Sequence, residues 1–573
     1  MKVSIRFSEM AEMEKNKVDL RQYFDYYVVR ELQNSISEKK DLNQEVGNID
    51  LTDYSKKKTS DLLDILKQYN VSPKTLTTVS LWLSNLSNPN DAVITTLQNF
   101  QKLLENVISK SSMKWIWQVN PDGCLVPYYV TEIKYKAKYR DEDAYVVITL
   151  ESTKIKTDRW DSEEISVRSE KDFIYFYRSC ILDESEDGLL DTYFDQDQDE
   201  DEDEDEDKPK KKNIKKGSNT LSKILSQKGV FFTSDEIYQK YKHQISLYQN
   251  IKKNIGKVYC SESKAFTIFE GKNNYSSWKP VNVDEKVSKL VIDTLKDSVT
   301  DLQKPLHPYL LTYNLTNYCY CVVHVDKLIE YKYDKNIIDK LIISDDKKNL
   351  LKAIISNEND FEDIVAGKSG GIIILASGKA GLGKTLTAEA YSELMEKPLY
   401  CIQSSQLGVN VDDIEKRLNK ILYRAEKWGA VLLIDEADTY IGERGSDIVQ
   451  NCIVGIFLRL LEYFNGVLFL TTNRYEVIDD AIMSRVTAHI RYEYPDKSES
   501  GLIWNVLCKN FGIEIDNKCF EEIFAKYETF SGRDVRNFLK MYSKTSKSKK
   551  MTADSVEKLK PYLPFVKDRC QIF

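Results

Sequence analysis

The sequence is poor in histidine, proline and glycine, with four His, 12 Pro and 22 Gly in 573 residues. The histidines, His243, His307, His324 and His489, are far apart, and the ten cysteines contain no CxxC pair. This spacing argues against a zinc site or a disulfide framework and fits a reducing compartment. No window approaches the eighteen apolar residues of a membrane span, and Met1-Lys2-Val3-Ser4-Ile5-Arg6 leads into charged sequence rather than a signal peptide core. The expectation is a soluble cytoplasmic protein without a membrane partner. A large excess of one charge is also missing. The formal charge of −8 arises in one place, because Asp195, Asp197 and the unbroken run 199–207 supply eleven negative charges, and without them the balance is +3. A near-neutral folded part gives no global sign of a nucleic-acid partner.

What is present is globular: 42% hydrophobic and 11% aromatic residues, in a chain long enough for about three or four domains. Apolar positions at helical spacing, such as Leu97, Phe100, Leu104 and Val107, predict a helical region over 1–112. Short alternating runs such as Trp115-Ile116-Trp117 and Tyr145-Val146-Val147-Ile148, separated by turn residues, predict a β-rich domain over 113–334. No basic residue interleaves Trp115 or Trp117, so these aromatics are expected in a core rather than stacked on bases. Within this domain the segment 183–217 carries an acidic block followed by a lysine block and is expected to be a disordered insertion. Alternating strand and helix signals over 335–496 predict an α/β core with a parallel sheet, and 497–573 reads as a helical lid. The predicted fold class is therefore multidomain α/β.

The chemistry begins at Gly378-Lys379-Ala380-Gly381-Leu382-Gly383-Lys384-Thr385. An apolar run, Ile372-Ile373-Ile374-Leu375, precedes it and a helix-favouring stretch follows, the strand–turn–helix setting of a phosphate-binding loop. Its glycines let consecutive N–H groups face one anion, Lys384 is placed for the β and γ phosphates, and the Thr385 hydroxyl is placed for Mg²⁺. About fifty residues on, Val431-Leu432-Leu433-Ile434 ends in Asp435 and Glu436, which puts two carboxylates at the carboxyl edge of the same sheet. Asp435 suits the metal and Glu436 suits activation of water. A third apolar strand, Leu468-Phe469-Leu470, ends in Thr471-Thr472-Asn473, where Asn473 is placed for the γ-phosphate or the attacking water.

Residues 361–494 resemble the AAA family of ATPases, in the branch related to the mitochondrial Bcs-type assembly ATPase and to many uncharacterised fungal and microbial AAA proteins. The resemblance is carried by Phe361-Glu362-Asp363-Ile364-Val365-Ala366-Gly367-Lys368, Lys384-Thr385-Leu386-Thr387-Ala388-Glu389-Ala390, Phe457-Leu458-Arg459-Leu460-Leu461-Glu462-Tyr463-Phe464 and Thr471-Thr472-Asn473-Arg474. It implies Lys384 and Thr385 as Walker A, Asp435 and Glu436 as Walker B, Asn473 as sensor 1, Arg485 as an arginine finger for a neighbouring subunit, and Arg533 as sensor 2. The implied nucleotide-binding set is Gly378, Gly381, Leu382, Gly383, Lys384, Thr385, Leu386 and Asp435, with ATP and Mg²⁺ as ligands. The resemblance further implies a homo-oligomeric ring, six subunits being the family default and seven the exception in the Bcs-like branch. One departure is visible: where threading members carry an aromatic pore loop, this chain has Ser404-Ser405-Gln406-Leu407-Gly408-Val409, which leaves Leu407 and Val409 as the apolar candidates to line a pore.

These features predict an ATP-hydrolysing ring that remodels or moves a protein client. A nucleic-acid-associated or defence-type switch, in which nucleotide controls assembly, is the alternative. It calls for a basic face, and the sequence offers one basic cluster, 208–216. A nucleotide-binding assembly protein without activity would have no use for intact Lys384, Asp435, Glu436, Asn473 and Arg485.

Overall fold

The computed structural model describes residues 2–559 except 86–93, 158–164, 181–219, 268–278, 282–288, 298–303, 357–370, 553–557 and shorter gaps of one to three residues. The predicted disordered segment 183–217, the 361–368 motif and Val409 fall outside the described residues. Among those described, no helix is long and apolar enough to cross a membrane.

The N-terminal region is mainly helical, but its first strand, Lys2–Arg6, pairs antiparallel with Val46–Asp50, a ribbon that helical periodicity did not predict. The helices close on it through Phe7, Met10, Leu32, Leu66 and Trp82.

The β-rich region builds two sheets. The first has six strands, and Trp115–Val119 joins Leu125–Lys136 on one side and Val230–Phe232 on the other, so sequence from both sides of 181–219 shares one sheet. The Leu97–Lys110 helix covers one face, burying Phe100, Leu104 and Ile108 against Val146, Ile148 and Phe176. Trp117 is buried with its ring centroid 5.4 Å from Tyr241, as core packing requires.

The second sheet has seven strands and leans on the α/β core. Tyr313 packs with ring centroids 4.9 Å from Trp428 and 5.8 Å from Tyr400, and the Arg424 guanidinium sits 5.0 Å from the Tyr313 centroid. Asp293 pairs with Lys427, and Lys289 Nζ lies 2.6 Å from Glu393 Oε1. Glu393 also accepts from Tyr331 Oη at 2.8 Å and from the Asp334 N–H at 2.9 Å. The β-rich region thereby grips the far end of the Lys384–Leu394 helix. A buried carboxylate without these donors would carry a desolvation cost of several kcal/mol.

Two histidines of this region titrate abnormally. Burial pushes His307 down to about 3 and His324 down to about 4. The ordinary imidazole value in the unfolded chain is about 6.5, so each ring favours folding while neutral and loses that contribution as pH falls from about 6.5 toward its folded value. Thermal melts at pH 5 should show about 2 kcal/mol less stability for each histidine than at pH 7. His307 Nε2–H donates to Pro127 O at 3.1 Å, a bond that an amide can imitate. His307→Gln should therefore flatten the pH slope by one proton, and an unchanged slope would assign the acid sensitivity to other groups.

The core sheet has five parallel strands in the order Leu399–Gln403, Val431–Asp435, Val467–Thr472, Ile372–Gly378, Ala488–Tyr492. Near-continuous β-branched and leucine runs such as Ile372-Ile373-Ile374-Leu375 suit strands covered on both faces, and the buried Ile374, Leu375, Leu432 and Leu433 show that coverage. The C-terminal helices Lys497–Phe511 and Gly532–Thr545 pack through Trp504 and Phe538, 5.6 Å apart at their ring centroids. Leu407 is a correction: it is 0% exposed and packs in the core with Tyr400 and Leu418. The apolar burial that holds the loop down removes this side chain from any pore surface.

Candidate nucleotide site

Because every strand of the core sheet is parallel, the loops after Ile372–Gly378, Val431–Asp435 and Val467–Thr472 emerge at one edge. The glycine loop turns there with φ of 146° at Gly378, 82° at Gly381 and 98° at Gly383, values that side-chain-bearing residues rarely adopt. A Cβ at Gly381 would lie 2.7 Å from Arg533 Cβ, so glycine is what lets the lid close on the loop.

Lys384 opens the following helix and is largely buried. Its Nζ donates to Gly378 O and Lys379 O, both at 2.8 Å, and to Asn473 Oδ1 at 2.9 Å. Burial holds its pKa below the usual lysine range, and Arg533 pushes the same way against the pull of Asp435, Asp438 and Glu436. Thr385 Oγ1 donates to Asp435 Oδ1 at 3.1 Å. The same carboxylate oxygen accepts from Thr471 Oγ1, which also accepts the Glu436 N–H at 2.9 Å. Glu436 sits at φ 55°, a strained backbone for a residue with a side chain, and the Ala437 N–H donates to Thr471 O at 2.9 Å to hold that turn.

One cleft of about 790 Å³ is lined by Gly381, Leu382, Gly383, Lys384, Thr385, Leu386, Asp435, Glu436, Asn473 and Arg533, whereas Gly378 is not among its described lining residues. Its lining also includes Leu341, Ile342 and Ile343 and, from the lid, Ile503, Leu507 and Phe511, apolar side chains in the same cleft as the cationic glycine loop. Such a lining suits a flat heterocycle, with the loop suited to its phosphates. Arg485 is not among the described residues lining this cleft. Its Nη1 donates to Ala481 O at 3.0 Å, and its Nη2 lies 3.8 Å from Glu462 Oε2.

Three contributors escaped the sequence reading. Thr471 ties Asp435 to Glu436, and its place two residues before Asn473 at a strand end was the available signal. Arg536 lines the cleft one helical turn after Arg533, as the i, i+3 spacing allows. Glu389 also lines it, its carboxyl pushed above the usual range by burial. The capping box of Ser531 and Asp534 fixes the helix turn that carries both arginines.

A parallel sheet with a glycine loop, a hydroxyl–carboxylate pair and a lid defines a P-loop nucleotide-binding domain. Comparison narrows the class: residues 374–494 match the ATPase family associated with various cellular activities, AAA, and the chain carries an AAA ATPase domain. It is 26% identical over 173 residues to a 26S proteasome regulatory subunit homolog of Methanothermobacter thermautotrophicus, covering 29% of this chain and 46% of that protein. It is 27% identical over 179 residues to the ATP-dependent zinc metalloprotease FtsH of Nitrosococcus oceani, covering 29% and 28%. Spastin of Drosophila willistoni is 26% identical over 174 residues, covering 28% and 22%. The chain thus spans less than half the length of these curated relatives. A solved structure, the FIGL-1 AAA domain in complex with ADP, covers 42% of this chain and 94% of its own at 18% identity and a TM-score of 0.33, a likeness on which nothing further rests.

Proposed function

We propose that this chain binds Mg-ATP in the cleft, hydrolyses it, and works as a homo-oligomeric ring, of six or seven subunits, that remodels or moves a protein client in the cytoplasm. The observation that carries the reading is the convergence of Lys384, Thr385, Asp435, Glu436 and Asn473 at one sheet edge beneath the lid arginines.

In this reading the Lys384 ammonium exchanges its loop carbonyls for the β and γ phosphates, and the loop amides hold the same anion. The Thr385 hydroxyl and Asp435 are a fitting pair of hard oxygen donors that would hold Mg²⁺. The ion would supply charge neutralisation at the phosphates. Glu436 takes the proton of the attacking water, Asn473 orients that water or the γ-phosphate, and Arg533 steadies the phosphates from the lid. Arg485 acts on the cleft of a neighbouring subunit. Two of the relatives are named for proteolytic machinery, a proteasome regulatory subunit and a protease, which supports a protein client. The placement in the Bcs-type branch rests on the motifs quoted above.

The experiment is a nucleotide titration of Lys384→Ala. ATP affinity should fall at least about a hundredfold, the scale of losing charge-assisted bonds to two phosphates. Unchanged affinity would locate nucleotide binding elsewhere.

A further inference from the structure

The six-stranded sheet has an outer face that is covered where Trp115 and Trp117 pack on Tyr241, and that the described residues leave open over 145–149 and 173–177. Alternation turns Val146, Ile148, Leu150 and Phe176 inward, where all are buried, and turns their neighbours outward. The strand register arranges those neighbours in rows. Lys136, Tyr145 and Tyr177 form one row, Lys134, Val147 and Tyr175 the next, and Glu132, Thr149 and Phe173 the third. Phe173, Tyr175 and Tyr177 are 53%, 41% and 42% exposed. The Tyr145 ring centroid lies 5.5 Å from that of Tyr175 and 5.7 Å from that of Tyr177, and Lys136 Nζ is 5.6 Å from the Tyr145 centroid.

The solvent face of an antiparallel sheet is ordinarily polar, so a cluster of exposed aromatics on it calls for a partner. An open sheet offers flat rings, which suit stacked bases, since every base has a π-face. The two rows that hold tyrosines each begin with a lysine and contain no carboxylate, which complements a phosphate backbone running along the rings. Two carboxylates border these rows: Glu132 in the third row lies 3.3 Å from Lys134 Nζ, and Glu142, in the turn beyond the first row, acts on Lys136. Trp115 and Trp117 belong to the packed part of the sheet, whereas the exposed rings are on the Tyr145–Thr157 and Ile165–Tyr177 strands.

We propose that this face binds single-stranded nucleic acid, by stacking on Tyr145, Tyr175 and Tyr177 and by phosphate contacts from Lys134 and Lys136. Recognition of this kind tolerates many sequences, because it uses ring faces and backbone charge rather than base edges. The site belongs to the sheet alone, so it does not depend on the ATPase reading.

The test uses the full chain, with fluorescence anisotropy of labelled oligo(dT) and oligo(U) of roughly sixteen nucleotides, titrated at roughly 50 and 200 mM salt. The wild type should bind both, more weakly at the higher salt. Tyr175→Ala with Tyr177→Ala should weaken binding at least about tenfold. Lys134→Gln with Lys136→Gln should reduce the slope of log K against log salt by about 1.4, the share of two phosphate contacts on a single strand. Both pairs lie outside the nucleotide cleft, so basal ATP turnover and the melting curve should stay at wild-type values. Absence of binding at micromolar protein in the lower salt would overturn the proposal, as would binding that neither pair alters. A change in sedimentation mass on the tyrosine substitutions, with oligonucleotide affinity unmoved, would overturn it in favour of a second copy of the chain covering the face.

Discussion

Glu436→Gln should retain ATP binding and slow hydrolysis at least about a hundredfold, the usual contribution of a positioned general base. The substitution keeps the size of the side chain and the strained φ of 55°, and leaves the Glu436 backbone bond to Thr471 in place. It removes only the capacity to take a proton. Asp435 remains tied to Thr385 and Thr471, so the proposed metal contacts persist and the nucleotide should stay bound. Equilibrium binding and single-turnover hydrolysis, measured together, separate the two steps. Near-normal turnover would move the catalytic carboxylate elsewhere, and Glu389, which burial already holds above the usual carboxyl range, is the alternative lining the same cleft.

Arg485→Ala should cost about a thousandfold in turnover, the lower end of what an arginine finger supplies. Arg485 is not among the described residues lining the cleft of its own chain: its guanidinium donates to Ala481 O, faces Glu462, and is 33% exposed. An arginine that contributes only across an interface permits a complementation test. When Arg485→Ala and Glu436→Gln subunits assemble together, one class of interface combines the intact Glu436 of the first with the intact Arg485 of the second. Mixing two nearly inactive proteins should therefore restore a measurable fraction of turnover. No recovery in a proven mixed assembly would place the action of Arg485 within its own chain or in structure alone.

Much of the core was legible because its signals are local. Ile373-Ile374-Leu375 and Val431-Leu432-Leu433-Ile434 are buried on both faces, so they read as unbroken apolar runs whatever surrounds them. The glycine loop and the carboxylates at the strand ends need only the sheet order to meet, and parallel pairing provides it. Other features depend on contacts that no local pattern encodes. Leu407 reads as an apolar loop residue and becomes core only because the loop folds back on the Val411–Trp428 helix. The contact of Lys289, Tyr331 and the Asp334 N–H with Glu393 joins residues 59 to 104 positions apart. Phe173-Ile174-Tyr175-Phe176-Tyr177 is apolar at every position, so periodicity could not show which side faces solvent. Register settles it, since Phe176 opposes buried Val146 and Tyr177 opposes Tyr145.

The account joins an ATP cleft to an arginine that serves the next subunit, and the solution mass of Glu436→Gln with and without Mg-ATP tests that link most directly. Trapped ATP should hold the arginine interface closed and shift the protein to an assembly of about six or seven chains. A chain that binds ATP yet remains monomeric at micromolar concentration would contradict it, because Arg485 would then have no cleft to act upon.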